Sequence, residues 1–308
     1  MAKDKKKPAK QPSKSGGRPL GCYATAVAIG TVVAAILARV WMDSSRTVHM
    51  APGEFASSTC HAADYRPAVK HCTPSQCGRI VIDDFATPEE TAALLAIARR
   101  GMAMGGGAGG PTILDMASGA LSRGDKFIDM WVAFNLTGQK PFTRSELAPY
   151  KALTDRVAAA ATEHFGATKL WLTAPSFFSR ISADRPPKIE NDEYWHSHVD
   201  KLQYGSFIYT ALLYLNERGV DFEGGQLTFD APSTGGGAPH EQTDVEVLGR
   251  VSPKPGRLVL FSSGHEHPHH VTEVTAGTRF AVTIAFTCDE RAALTDFLER
   301  AYDEYPDE

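Results

Sequence analysis

From Lys169 onward the chain is a succession of short strand-like runs. They are Leu170-Trp171-Leu172, Phe177 to Ile181, Ser206 to Leu215, Gly224 to Phe229, a stretch near Val245 to Val247, Arg257 to Phe261 and Arg279 to Phe286. Aromatic and β-branched residues fill them, and Gly, Pro and Asn bound them. Helical patterns occur only earlier. Thr87-Pro88-Glu89-Glu90 offers an N-cap, a proline at the first helical position and a carboxylate three residues on, which predicts a helix to about Arg100. Tyr150, Leu153 and Val157 recur at three and four, which predicts a second helix over Leu147 to Phe165. A strand-like run, Arg79 to Phe85, precedes the first helix. Two helices followed by about eight strands imply an α+β fold with helices braced against one sheet of a sandwich.

The N-terminal part has another character. Residues 1–19 carry seven Lys and Arg against Asp4, although the whole chain of 308 residues has a net charge of −4. A basic tail on an acidic body argues against a nucleic-acid partner for the body. The charge-free run Leu20 to Ala38 follows; as a helix it spans roughly 28 Å, close to the hydrocarbon thickness of a bilayer. Lysines before it and an Arg39/Trp41 border after it predict a membrane helix over 20–41 with a cytoplasmic N-terminus. A cleaved secretory signal is the alternative. The body then lies in a lumen as a type II single-pass protein, in the endoplasmic reticulum or Golgi. There, Cys60, Cys72, Cys77 and Cys288 can form two disulfides in three possible pairings, and Asn135-Leu136-Thr137 can accept a glycan. Residues 42–78 read as a luminal stem, 79–290 as the main domain and 291–308 as an acidic tail. The glycine-rich stretch Gly105 to Gly110 lacks the Lys-Ser/Thr of a phosphate loop and reads as low complexity.

Chemistry enters at Tyr194-Trp195-His196-Ser197-His198-Val199-Asp200. On an extended strand, His198 and Asp200 point to the same face and offer an imidazole and a carboxylate side by side. A third ligand is available in His265-Glu266-His267-Pro268-His269-His270. Two His and one carboxylate with the remaining positions open is the donor set of non-haem Fe(II) oxygenases. His196 rivals His198, and four histidines compete for the third place. On the run Arg279 to Phe286, Arg279, Ala281, Thr283 and Ala285 share one face, while Phe280, Val282, Ile284 and Phe286 share the other. The first face leaves room for a ligand beside a fixed cation; the second is bulky enough to pack against helices.

His198-Val199-Asp200, Thr210…Tyr214-Leu215-Asn216, Gly224 to Phe229, Pro255 to Phe261 and His269…Val274…Gly277-Thr278-Arg279 occur in an order that resembles the prolyl-4-hydroxylase-like branch of the 2-oxoglutarate- and Fe(II)-dependent dioxygenases. The resemblance covers roughly Ile80 to Asp289. Tyr194 to Lys201 and Arg279 to Cys288 look closest to a single-pass membrane member of that branch. It implies a double-stranded β-helix (jelly-roll) core with supporting N-terminal helices. Counting back from Val274 and Arg279 by the family's spacing selects His269 as the distal metal ligand, with His198 and Asp200, and leaves His196 in a supporting or loop role. It also implies that Arg279, Tyr214 and Thr210 bind the far carboxylate of 2-oxoglutarate. The implied reaction is hydroxylation of a C–H bond, in a peptidyl proline or lysine, with succinate and CO2 as co-products and ascorbate as reductant. Two other readings compete: a non-catalytic luminal metal-binding module on the same scaffold, and a structural zinc site built from the histidine cluster.

Overall fold

The computed structural model describes residues 49–65, 72, 74–139, 142–189, 192–232, 246–295 and 298. The apolar run Leu20 to Ala38, the basic tail before it and most of the acidic C-terminal tail lie outside these. Among the described residues, no helix is long and apolar enough to cross a membrane.

Strands β1 (Ala56–Ser58) and β2 (Cys77–Ile82) lead into helix α1 (Pro88–Gly101). Four short strands follow, β3 (Gly106–Gly107), β4 (Thr112–Asp115), β5 (Ala120–Gly124) and β6 (Lys126–Asp129). Helices α2 (Met130–Leu136) and α3 (Arg144–Phe165) come next, then the long strand β7 (Trp171–Ser182) and a single helical turn, α4 (Asp200–Gln203). The rest is β8 (Tyr209–Tyr214), β9 (Phe222–Gly224), β10 (Leu227–Asp230), β11 (Val247–Val251), β12 (Leu258–Ser262), β13 (His269–Val271) and β14 (Val274–Thr287).

The large sheet runs β1-β2-β12-β8-β14-β7-β4-β5-β3, with β6 on β5 and β9 on β14; the small sheet runs β11-β10-β13. Strand alternation gives the large sheet two different faces. Ile80 of β2, Tyr209, Ala211 and Leu213 of β8, Leu258 and Leu260 of β12 and the bulky Phe280, Val282, Ile284 and Phe286 of β14 pack with α1 and α3. Val81, Leu212, Tyr214, Val259, Phe261 and Ala281 turn the other way and meet Leu227, Phe229 and Val251 of the small sheet. The two sheets therefore enclose a second core, the jelly-roll arrangement, with helices covering only the outer face of the large sheet.

Local chemistry explains the helix starts. Thr87 and Glu90 form a reciprocal capping box at α1, and Thr143 and Glu146 form another at α3. The second box starts α3 at Arg144, one turn before the first periodic leucine. Two sequence expectations need correction. Strands β3 to β6 and helix α2 stand where no regular structure was expected, and residues 171–182 form one strand rather than two runs. The glycine-rich segment holds β3 and is used for close backbone approach: a Cβ on Gly109 or Gly110 would meet Pro186 or Asp192.

Cys60 is bonded to Cys77, and Cys72 to Cys288. The second bridge closes a separation of 216 residues and ties the segment before β2 to the end of β14. Cys72→Ser with Cys288→Ser is expected to lower the unfolding free energy by about 2–4 kcal/mol through the freer unfolded chain. Chemical denaturation under non-reducing conditions reads that loss.

Candidate active site

The site is built where the two histidine-bearing segments pair. His198 and His269 face each other in an antiparallel bridge, and each backbone N–H donates to the other's carbonyl at 2.9 Å. Val199 is extended (φ −121°, ψ 118°), and Asp200 then opens α4. His198 and Asp200 are thus not two positions on one continuous strand; the helical turn swings the carboxylate toward the imidazoles. Lys201 N donates to Ser263 O at 2.9 Å and fixes that turn against the end of β12.

Asp200 Oδ1 lies 3.7 Å from His198 Nε2 and 3.6 Å from His269 Nε2. One ligand atom from each of the three residues falls within 4.8 Å of the others. Both rings are oriented by backbone carbonyls two residues earlier. His198 Nδ1 donates to His196 O at 3.1 Å, and His269 Nδ1 donates to His267 O at 3.0 Å. A carbonyl only accepts, so Nδ1 holds the proton and Nε2 presents its lone pair to the centre of the group. Burial, and then the neighbouring His269, depress the His198 imidazole to about 4, which keeps it neutral.

The other histidines have separate duties. His265 Nδ1 donates to Asp64, and His270 Nδ1 to Asp230 Oδ2 at 2.9 Å. His267 is buried with Nδ1 on Ser262 O at 2.8 Å. His196 pairs through Nε2 with Glu193 at 2.6 Å and lends its carbonyl to His198. Sequence reasoning did not find Asp230. It is 2% exposed and also accepts from Ser197 Oγ at 2.6 Å, so one carboxylate braces the neighbours of both His198 and His269. Its only sequence signal is a charged residue ending the apolar run Leu227 to Phe229.

Thr210 makes a contact that the sequence did not reveal. Its hydroxyl donates to Asp200 Oδ2 at 2.6 Å and, that proton being committed, accepts from Ser263 Oγ at 2.9 Å. It holds the second oxygen of Asp200 while lining the same cavity as Arg279. Thr210→Val keeps the shape and removes the donor; Fe(II) affinity is expected to fall roughly 10–100-fold, read from the iron dependence of turnover.

Arg279 is 1% exposed, and burial lowers the pKa of its guanidinium. Its Nε donates to Gly225 O at 3.0 Å. Gly225 has φ +66°, and a Cβ there would lie 2.8 Å from Arg279 Cδ, so only glycine lets this backbone lie against the arginine. Arg279 Nη2 has no hydrogen-bond partner, and no carboxylate among the described residues pairs with the guanidinium. Tyr214 is wholly buried beneath it, ring centroid 5.4 Å from Cζ, with its hydroxyl also unbonded. Burial pushes that phenol up to about 12, so it stays a donor at neutral pH. A buried guanidinium with an unpartnered Nη2 beside a buried, unpartnered hydroxyl fits a carboxylate ligand.

His198, Asp200, His269 and Arg279 line one cavity of about 560 Å³, with Leu212 and Phe261 among its walls. The donor set suits Fe(II) and the uncompensated guanidinium suits one end of a dicarboxylate, so the residues present fit both iron and 2-oxoglutarate.

Residues 188–287 match the 2OG-Fe(II) oxygenase superfamily model. A mouse protein named 2-oxoglutarate and iron-dependent oxygenase domain-containing protein 3 is 41% identical over 227 residues, which is 73% of this chain and 68% of that protein. Chicken prolyl 3-hydroxylase 2 is 44% identical over 81 residues, 26% of this chain and 10% of that protein. Among solved structures, a prolyl hydroxylase of Trichoplax adhaerens in complex with a hypoxia inducible factor peptide fragment superposes with a TM-score of 0.44 at 15% identity, covering 71% of this chain and 87% of that one. Identity sustained over most of both this chain and the mouse protein makes the chain a member of the 2OG-Fe(II) oxygenase superfamily, a 2-oxoglutarate-dependent dioxygenase that uses Fe(II).

Proposed function

We propose that the chain hydroxylates a C–H bond in a prolyl or lysyl residue of a protein or peptide, with succinate and CO2 as co-products. One observation carries the reading: the His198–Asp200–His269 group and the unpaired Arg279 guanidinium open into the same cavity. His198, Asp200 and His269 would hold the iron, and Arg279, with the Tyr214 hydroxyl beside it, would hold the far carboxylate of 2-oxoglutarate. Bound together, iron and 2-oxoglutarate supply the oxygen activation that places a hydroxyl on carbon.

The chain's own residues do the positioning. Backbone carbonyls of residues 196 and 267 fix which imidazole nitrogen faces the metal. Thr210 and Ser263 hold the second oxygen of Asp200. Leu212 and Phe261 line the cavity with apolar surface, which limits water around the reacting centre. The name of the matched prolyl 3-hydroxylase supports a prolyl target. Two disulfides and an exposed Asn135 support a luminal catalytic domain, anchored by the apolar run at 20–41.

The test uses the full chain with Fe(II), 2-oxoglutarate and ascorbate, and measures succinate with and without proline- and lysine-containing peptides. Peptide-stimulated succinate and a hydroxylated peptide by mass spectrometry are expected. Succinate release that no such peptide stimulates, with no peptide modified, overturns the substrate class.

A further inference from the structure

The histidine cluster contains a residue that the active site does not use. His265 turns away from His269 and meets two residues contributed from about two hundred positions earlier. Its Nδ1 lies 2.7 and 2.9 Å from the two oxygens of Asp64, and His61 Nδ1 lies 3.2 Å from Asp64 Oδ1. The two imidazoles stand side by side, ring centroids 4.7 Å apart. One ligand atom from each of His61, Asp64 and His265 falls within 4.8 Å of the others, as in the active-site group.

The geometry points to a second divalent-cation site, of the zinc class, at His61, Asp64 and His265. Zinc takes imidazole nitrogen and carboxylate oxygen at about 2.0–2.2 Å in a tetrahedron, which sets neighbouring donor atoms about 3.3 Å apart. The His61–Asp64 separation already matches, and the His265–Asp64 separation is a few tenths of an ångström shorter, the length of the hydrogen bond that occupies it without a metal. Loss of its Nδ1 proton turns His265 from a donor to Asp64 into a ligand, and His61 brings a second Nδ1 to the same carboxylate.

The surroundings are those of a built site. The Asp64 side chain is 6% exposed and that of Glu266 is 3%, so two buried carboxylates sit together. A Cβ on Gly264 would lie 2.7 Å from Asp64 Oδ2 and 2.5 Å from Glu266 Oε2, so both converge on that glycine. A cation offsets this concentration of negative charge. Asp64 is oriented by the His265 N–H, which donates to Oδ2 at 2.7 Å. Glu266 accepts from His61 N at 3.2 Å and from the Tyr65 hydroxyl at 2.5 Å, which fixes the segment carrying His61 and Asp64. The Cys60–Cys77 bridge anchors the residue before His61. His61 and His265 are 51% and 38% exposed, which leaves solvent a fourth position and an entry path.

The test counts zinc in the full chain, stripped with chelator and then re-equilibrated with Zn²⁺ alone. The parent for comparison is the Asp200→Ala, His269→Ala double variant, in which the active-site group cannot retain metal. About one zinc per chain is expected to remain in it. His61→Ala, a substitution at a half-exposed side chain, and Asp64→Asn are each expected to bring that count near zero while circular dichroism stays unchanged. Cobalt(II) in place of zinc should give the absorption of a tetrahedral N/O site in the double variant and lose it with His61→Ala. Zinc that vanishes with the Asp200 and His269 changes, or that persists through His61→Ala and Asp64→Asn, overturns the site and leaves only a His265–Asp64 hydrogen bond with His61 beside it. Succinate release is not read in this experiment, so its failure and that of the proposed reaction are separable.

Discussion

Arg279→Leu is expected to raise the KM for 2-oxoglutarate by about 30- to 4,000-fold while leaving iron content intact. The range follows from removing one partner of a buried, hydrogen-bonded charge pair, which costs about 2–5 kcal/mol, at tenfold per 1.4 kcal/mol. Leucine replaces the buried stem, so little packing is lost. The variant also discards a cation that has no counter-charge among the described residues. Its unfolding free energy should therefore stay within about 1 kcal/mol of the parent, the Gly225 carbonyl losing one hydrogen bond. Steady-state kinetics and denaturant melts separate the two effects. An unchanged KM removes Arg279 from the carboxylate site; a collapsed melt makes it a structural residue.

Asp200→Ala is expected to abolish iron retention and bring succinate release to background. The carboxylate sits 3.6–3.7 Å from both imidazole nitrogens, so its loss leaves two ligands from a set of three. It is a cleaner substitution than His269→Ala, because the His269 ring also packs edge-on against Phe261 at 4.9 Å. Thr210 keeps its partner Ser263 when Asp200 is shortened, so the fold should persist. Iron analysis after desalting, with the succinate assay alongside, decides the matter. Full turnover by Asp200→Ala sinks the ligand assignment.

Much of the framework was legible because alternation and capping are local. The two faces of β14 follow from residues 279–286 read in order, and the Thr87-Pro88-Glu89-Glu90 box places the start of α1, whereas the Thr143–Glu146 box that starts α3 was not read. What depends on remote partners was not legible. His265, His267, His269 and His270 are equivalent in composition; the structure separates them by Asp64, Ser262, Asp200 and Asp230, none of which periodicity brings to the cluster. Nothing local reveals the contact of Thr210 with Asp200. Strand β7 reads as two runs because Pro175 falls in its middle. The sheet accommodates it where the β7–β14 register shifts between Thr283 and Ala285, the setting in which a strand tolerates proline. Strands β3 to β6 escaped because they are short and glycine-bounded.

The backbone bridge between His198 and His269 makes metal competence a property of assembly. The two histidines enter from segments some seventy residues apart, and each is held by the other's peptide group. A chain that has not closed this ladder cannot present the two imidazoles together, however well the rest of the sheet has formed. Iron loading then waits on the closure that pairs these two segments, and the metal in turn favours the closed chain by mass action. A dioxygenase built this way cannot handle iron while half folded.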